Sequence, residues 1–119
     1  MITLTISKAT PSGNSFRGVH WSRIHRLRAE WGWLVVEALK RAGVHERPLY
    51  AKATLTLERH GSRILDADNA RASFKVLIDQ LVASGIILDD NPEVIGEPRL
   101  LQFQVSPKER KTVIRIEQG

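Results

Sequence analysis

The chain opens on an alternation: Ile2, Leu4 and Ile6 take turns with Thr3, Thr5 and Ser7. A two-residue period puts the three aliphatic side chains on one side of an extended backbone, so the pattern predicts a strand with one buried face. Residues 8–20 show no period and carry Pro11, Gly13, Asn14 and Gly18, the punctuation of a loop. From Trp21 to about Ala42 the period lengthens. Ile24, Leu27, Trp31, Leu34, Val35 and Ala38 fall at steps of three and four, which predicts a long amphipathic helix that Gly43 can terminate.

Alternation returns in "YAKATLTLERH", with Ala51, Ala53, Leu55 and Leu57 on one face and Lys52, Thr54, Thr56 and Glu58 on the other, a second strand. After Gly61, the spacing of Phe74, Leu77, Ile78, Leu81 and Val82 marks the apolar stripe of a second helix, ending near Ser84 and Gly85. "RLLQFQV" and "KTVIRIE" read as two strands joined by the polar turn "SPKER". The order is β-α-β-α-β-β. It predicts an α+β fold in one domain covering residues 1–119, with a mixed, mostly antiparallel sheet packed against two main helices.

Charge narrows the choice of partner. Eighteen Lys and Arg against thirteen Asp and Glu give a net charge of +5, which favours an anionic partner, nucleic acid first. The absence of cysteine excludes disulfides and thiolate metal sites. The alternating start is unlike a signal peptide, and no apolar run approaches the ~20 residues of a membrane span, so a cytoplasmic location and no membrane association are expected. His20, His25, His45 and His60 lack HExxH spacing, and no phosphate-binding glycine loop is present. Ser12, Ser15 and Ser22 have no evident base. Trp31 falls on the core side of its helix, whereas Trp33 is open to a stacking role.

Against the basic background, two acidic pairs stand out: Asp66 and Asp68 before the second helix, and Asp89 and Asp90 after it. If the backbone is extended through residues 64–68, the first two carboxylates share a side and can grip one cation. The ordinary explanations are equally plain. Asp68 stands where an N-cap belongs, and "LDDNPE" has turn composition. Only convergence of the pairs would make them a site, and then oxygen-only donors favour Mg²⁺ or Mn²⁺ over zinc. Lys75, seven residues after Asp68, returns to nearly the same helical flank and can lean toward the acidic end. It also stands i,i+4 from Asp79, the spacing of a common exposed ion pair.

The stretch "DADNARASFKVLIDQLVASGIILDDNPEV", together with "TPSGNSFRGVHWSRIHRLRAEW", resembles the RusA-type Holliday junction resolvases, small endodeoxyribonucleases that cut four-way DNA junctions. The two segments cover much of the chain. The resemblance implies a Mg²⁺-dependent nuclease, with Mn²⁺ as a substitute, acting on branched DNA as a homodimer. It assigns Asp66, Asp68 and Asp90 as metal-binding catalytic acids, with a lesser role for Asp89. The family's best-known pattern has its catalytic lysine four residues after the second Asp, where this chain has Ala72. Lys75, in an Asp-Asn then Ser-x-Lys arrangement, is the corresponding candidate. Asn14, Arg17, His20, Arg63 and Arg71 are the candidate DNA contacts. The rival readings are a non-catalytic branched-DNA-binding protein of the same fold, a nuclease of broader taste, and a structural protein whose acids only cap and turn.

Overall fold

Alternation in the first strand becomes burial. Along β1 (Ile2–Ile6), Leu4 and Ile6 are buried while Thr3 and Thr5 face outward. The computed structural model describes residues 1–13 and 20–119. Helix α1 (Trp21–Arg41) buries Trp31, Val35, Ala38 and Leu39, a stripe at three- and four-residue steps. It ends as its glycine predicts: the Ala42 N–H donates to the Ala38 carbonyl, and Gly43 turns the chain away at φ +70°.

The second strand, β2 (Ala53–Gly61), starts at Ala53, so Ala51 precedes the sheet and is exposed. Then come α2 (Ala67–Ala83), a short helix α3 (Pro92–Ile95), β3 (Arg99–Gln104), a 3-10 turn (Pro107–Glu109) and β4 (Lys111–Gln118). Helix α3 was not legible as a separate element. Asn91 caps it and Pro92 opens it, so a sequence that reads as a turn makes one helical turn.

The sheet order is β1-β4-β2-β3. Strand β4 runs antiparallel to both β1 and β2, while β2 and β3 are parallel, a pairing permitted by the long connection through α2. The fold is α+β with a mixed, mostly antiparallel sheet. The two C-terminal strands, though adjacent in sequence, are not neighbours: β2 lies between them, and the connection at residues 105–110 crosses its end.

Leu4, Ile6, Leu55, Leu57, Ile114 and Ile116 point into one core with Trp31, Phe74, Leu77 and Leu81 of the helices. The radius of gyration, 13.7 Å, agrees with the ~13.5 Å expected of one domain of this length. Among the described residues, no helix is long and apolar enough to cross a membrane.

Candidate functional site

Helix α2 begins one residue after Asp66, whose backbone is extended at φ −64°, ψ 166°. One Asp66 oxygen accepts the Asn69 backbone N–H at 2.9 Å, and the other accepts the Asn69 side-chain amide at 2.8 Å. Asp66, not Asp68, is therefore the N-cap. The expectation of an extended chain through Asp68 is corrected accordingly, and the two carboxylates do not share one side of a strand. Asp68 lies in the first helical turn, where an acid is favoured by the helix dipole. Its carboxylate is 81% exposed and stands 3.9 Å from the Arg71 guanidinium, a loose contact.

This assignment separates two effects at Asp66. Asp66→Ala should lower stability by about 1 kcal/mol through loss of the cap, whereas Asp66→Asn keeps the cap and should leave stability nearly unchanged. Urea denaturation of both variants checks this. Equal losses would mean that the negative charge, not the cap geometry, supports the helix start.

The second acidic pair is placed by the chain beyond α2. Gly85 at φ +82° reverses direction, and Ile86 and Ile87 anchor the segment in the core. Leu49 donates its backbone N–H to the Ile86 carbonyl at 3.0 Å, fixing the path. Asp89 then builds the turn, accepting the Asp90 N–H at 2.7 Å and the Asn91 side-chain amide at 3.0 Å. Asp90 is left facing α2. There, Lys75 donates to Asp90 Oδ2 at 2.8 Å and to Asp79 Oδ1 at 2.7 Å. The i,i+4 pair of Lys75 with Asp79 forms as its spacing predicts, and the same ammonium bridges to an acid fifteen positions later; among the described residues it makes no ion pair with Asp66 or Asp68, the end toward which it was expected to lean.

These contacts move both titrations. Hydrogen bonds to Asp79, and then to Asp90, raise Lys75 above its ordinary 10.5 despite some opposing desolvation. The hydrogen bond from Lys75, followed by Asp89, holds the Asp90 carboxyl below its ordinary 3.8. Lys75 is therefore an ammonium throughout the neutral range, suited to neutralising charge and unsuited to acting as a base.

The stabilising contribution of Lys75 is complete below 10.5 and is lost as pH rises through its higher folded value; that of Asp90 is present above 3.8 and is lost as pH falls through its lower folded value. The stability difference between wild type and Lys75→Met should accordingly be flat across neutral pH and shrink at both extremes. Denaturant titrations across pH would show it, and a change centred near neutrality would contradict this account.

The three acids assigned to metal do not share one coordination sphere. Among the described residues, no group of three His, Asp or Glu side chains gathers as a metal site. Helix geometry supplies a reason, since Lys75, where Asp90 docks, lies seven residues and roughly 10 Å of rise beyond Asp68. Electrostatics acts in the same direction, because two carboxylates 4 Å apart repel by about 4 kcal/mol at an effective dielectric of 20. The donor chemistry, carboxylate oxygen alone, is nonetheless that of a hard divalent cation.

The candidate DNA contacts divide. His20 caps α1, its Nδ1 accepting the Ser22 N–H at 3.2 Å, and its ring stacks on exposed Trp21. Arg71 is exposed beside Asp68. Arg63 lines a basic cleft at the end of β2. Asn14 and Arg17 lie outside the described residues.

Sequence reasoning passed over the residues that join this cleft to α2. Thr10 and Ser73 are buried and share a 2.6 Å hydrogen bond, and the Arg59 Nε–H donates to the Thr10 carbonyl at 2.9 Å. A Cβ on Gly13 would come within 2.9 Å of the Asn69 backbone and of Ala72, so the chain at Gly13 lies hard against the first turns of α2. The available signal was Ser73, a hydroxyl beside the apolar stripe. No protein-family model and no curated protein matches the chain.

Proposed function

We propose that the chain is a Mg²⁺-dependent, structure-selective endodeoxyribonuclease that resolves four-way DNA junctions, in the manner of the RusA-type enzymes it resembles. The observation that supports this reading best is the Lys75–Asp90 hydrogen bond. It ties the Asp89–Asp90 turn to helix α2 through the lysine that the resemblance singles out, across fifteen residues that local preference alone would not bring together.

In this proposal Asp66, Asp68 and Asp90 are the acids assigned to the cation, with Mn²⁺ as a substitute. A bound divalent ion would supply an activated water and stabilise a leaving oxygen. The chain's own residues have separate tasks. Lys75 holds Asp90 in place and carries a permanent positive charge for the scissile phosphate. The net charge of +5 offsets the repulsion that exposed acids would exert on DNA. A homodimer would provide two sites related by twofold symmetry for paired nicks.

The alternative is a branched-DNA-binding protein of this fold without catalysis. The separation of the three acids favours it. A synthetic four-way junction incubated with Mg²⁺ or Mn²⁺ distinguishes the two. Paired symmetrical nicks support the nuclease; tight binding without cutting in either metal leaves only the binding protein.

A further inference from the structure

At the end of β2, residues 7–12, the exit from β2 and the approach to β4 enclose a cleft of about 830 Å³. Its charged lining is Lys8, Arg59, Arg63, Lys108, Arg110 and Lys111, with Glu109 the only carboxylate among the described residues. These side chains are scattered in sequence. The crossing of residues 105–110 over β2 carries the last three to the cleft, and Thr112 Oγ1 donates to the Lys8 carbonyl at 2.7 Å to hold the first strand's exit nearby.

The cations are poorly compensated. Arg59 spends its hydrogen bonds on neutral carbonyls, Nε on Thr10 at 2.9 Å and Nη1 on Arg63 at 3.0 Å. Arg110 likewise donates to the Pro107 carbonyl at 3.2 Å. Among the described residues, the side chains of Arg63, Lys108 and Lys111 make no ion pair, while Lys8 pairs with Glu30. Burial, then Arg110 and Arg63, lowers the pKa of Arg59, a sign of positive charge crowded without a counterion.

An aromatic element accompanies the charge. His60 lines the cleft and stacks on Phe103 with ring centroids 4.7 Å apart and planes 18° apart; Phe103 is 43% exposed. Phe103 lies outside the cleft lining and the His60 side chain is 15% exposed and bonded to Glu58, so the basic channel, which can track the backbone of a single strand, carries the argument. Size points the same way. The volume is within the ~300–1,000 Å³ range of ligand pockets, enough to seat part of one strand.

We propose that this cleft binds the phosphodiester backbone of an unpaired DNA strand. Leu65 lines the cleft and Asp66 follows it directly, so a strand seated there runs toward the start of α2. The proposal rests on the reading of the chain as a protein of branched DNA, whose branch points offer splayed nucleotides.

The test is fluorescence anisotropy of a labelled oligothymidylate with the full chain in EDTA, so that binding is read without cutting. R63Q/K108Q/K111Q should weaken binding roughly tenfold and reduce the magnitude of the salt slope by about 2, since each single-strand phosphate contact contributes about 0.7. R23Q/R26Q/R28Q removes the same charge from exposed positions on α1 and should change binding far less. Equal losses in both variants, or loss only in the α1 variant, would overturn the proposal. So would a duplex of the same length binding as well with the same dependence on the cleft residues, or inorganic phosphate competing as effectively per phosphate as the strand. Amide chemical shifts of the wild type give a readout that needs no variant: adding the strand should move residues 59–63 and 108–111, and their constancy during binding would refute the site. Junction cleavage in Mg²⁺ is scored separately. Cleft binding without cutting rejects the nuclease and keeps the cleft; cutting with cleft-independent binding does the reverse.

Discussion

Asp90→Asn is expected to slow junction cleavage by about 10²–10³-fold, the scale on which removal of one charge-stabilising group acts in an active site. The substitution keeps the shape of the side chain and leaves an amide oxygen to accept from Lys75, so the turn at residues 88–91 should persist. What disappears is the charge. Lys75 then faces only Asp79 as an anionic partner. Junction affinity in EDTA should be nearly unchanged or slightly better, because one negative charge near DNA has been removed. Asp89→Asn should have the smaller effect, since both Asp89 oxygens are engaged in building the turn. Rates of paired nicking under single-turnover conditions provide the comparison. A wild-type rate in Asp90→Asn would remove this acid from the chemistry and return the Lys75 bridge to a purely structural role.

The largest effect on stability is expected at Trp31. This side chain is fully buried between the helices and the sheet, and Trp31→Ala should cost about 3–5 kcal/mol through lost burial and the cavity left behind. Against the 5–15 kcal/mol typical of a whole domain, that is a severe loss, on the order of 10–20 °C in Tm. Trp31→Phe should cost clearly less. It keeps much of the packing and removes an indole N–H that is buried without a hydrogen-bond partner among the described residues. Trp33, two positions along the same helix, is 67% exposed, and Trp33→Ala should change stability by no more than about 0.5 kcal/mol. Denaturant unfolding of the three variants tests the set. Equal costs for Trp31→Phe and Trp31→Ala would mean that the indole N–H is satisfied in solution.

The burial of Trp31 was readable in advance because it depends on helical phase alone, whereas the exposure of Trp33 was left open by the sequence. Trp31 lies in the stripe with Leu27, Leu34, Val35 and Ala38, and Trp33 lies off it. The start of α2 was read two residues late for an equally physical reason. Two aspartates two residues apart are both acceptable cap residues, and pattern does not say which will receive the Asn69 N–H. The structure chooses Asp66, whose two oxygens also hold the Asn69 side chain. The contact of Lys75 with Asp79 followed from spacing, whereas the contact with Asp90 required the chain to double back after Gly85 and be anchored by Ile86 and Ile87.

Periodicity by itself determined the main helices and strands of this protein and the α+β class, because each periodic element must bury its apolar side. Acidic pairs in a basic chain, together with a family resemblance, supplied the acids and the lysine as candidates. Only the tertiary structure decided which strands pair, since hydrogen-bonding backbone looks alike in every strand and adjacency in sequence does not order a sheet. Passing β4 to the far side of β2 carried Lys108, Arg110 and Lys111 over the strand end to Arg59 and Arg63. Charges at separations of about fifty residues have no local signal. Their meeting depends on a crossing that the core, and not the charges, brings about.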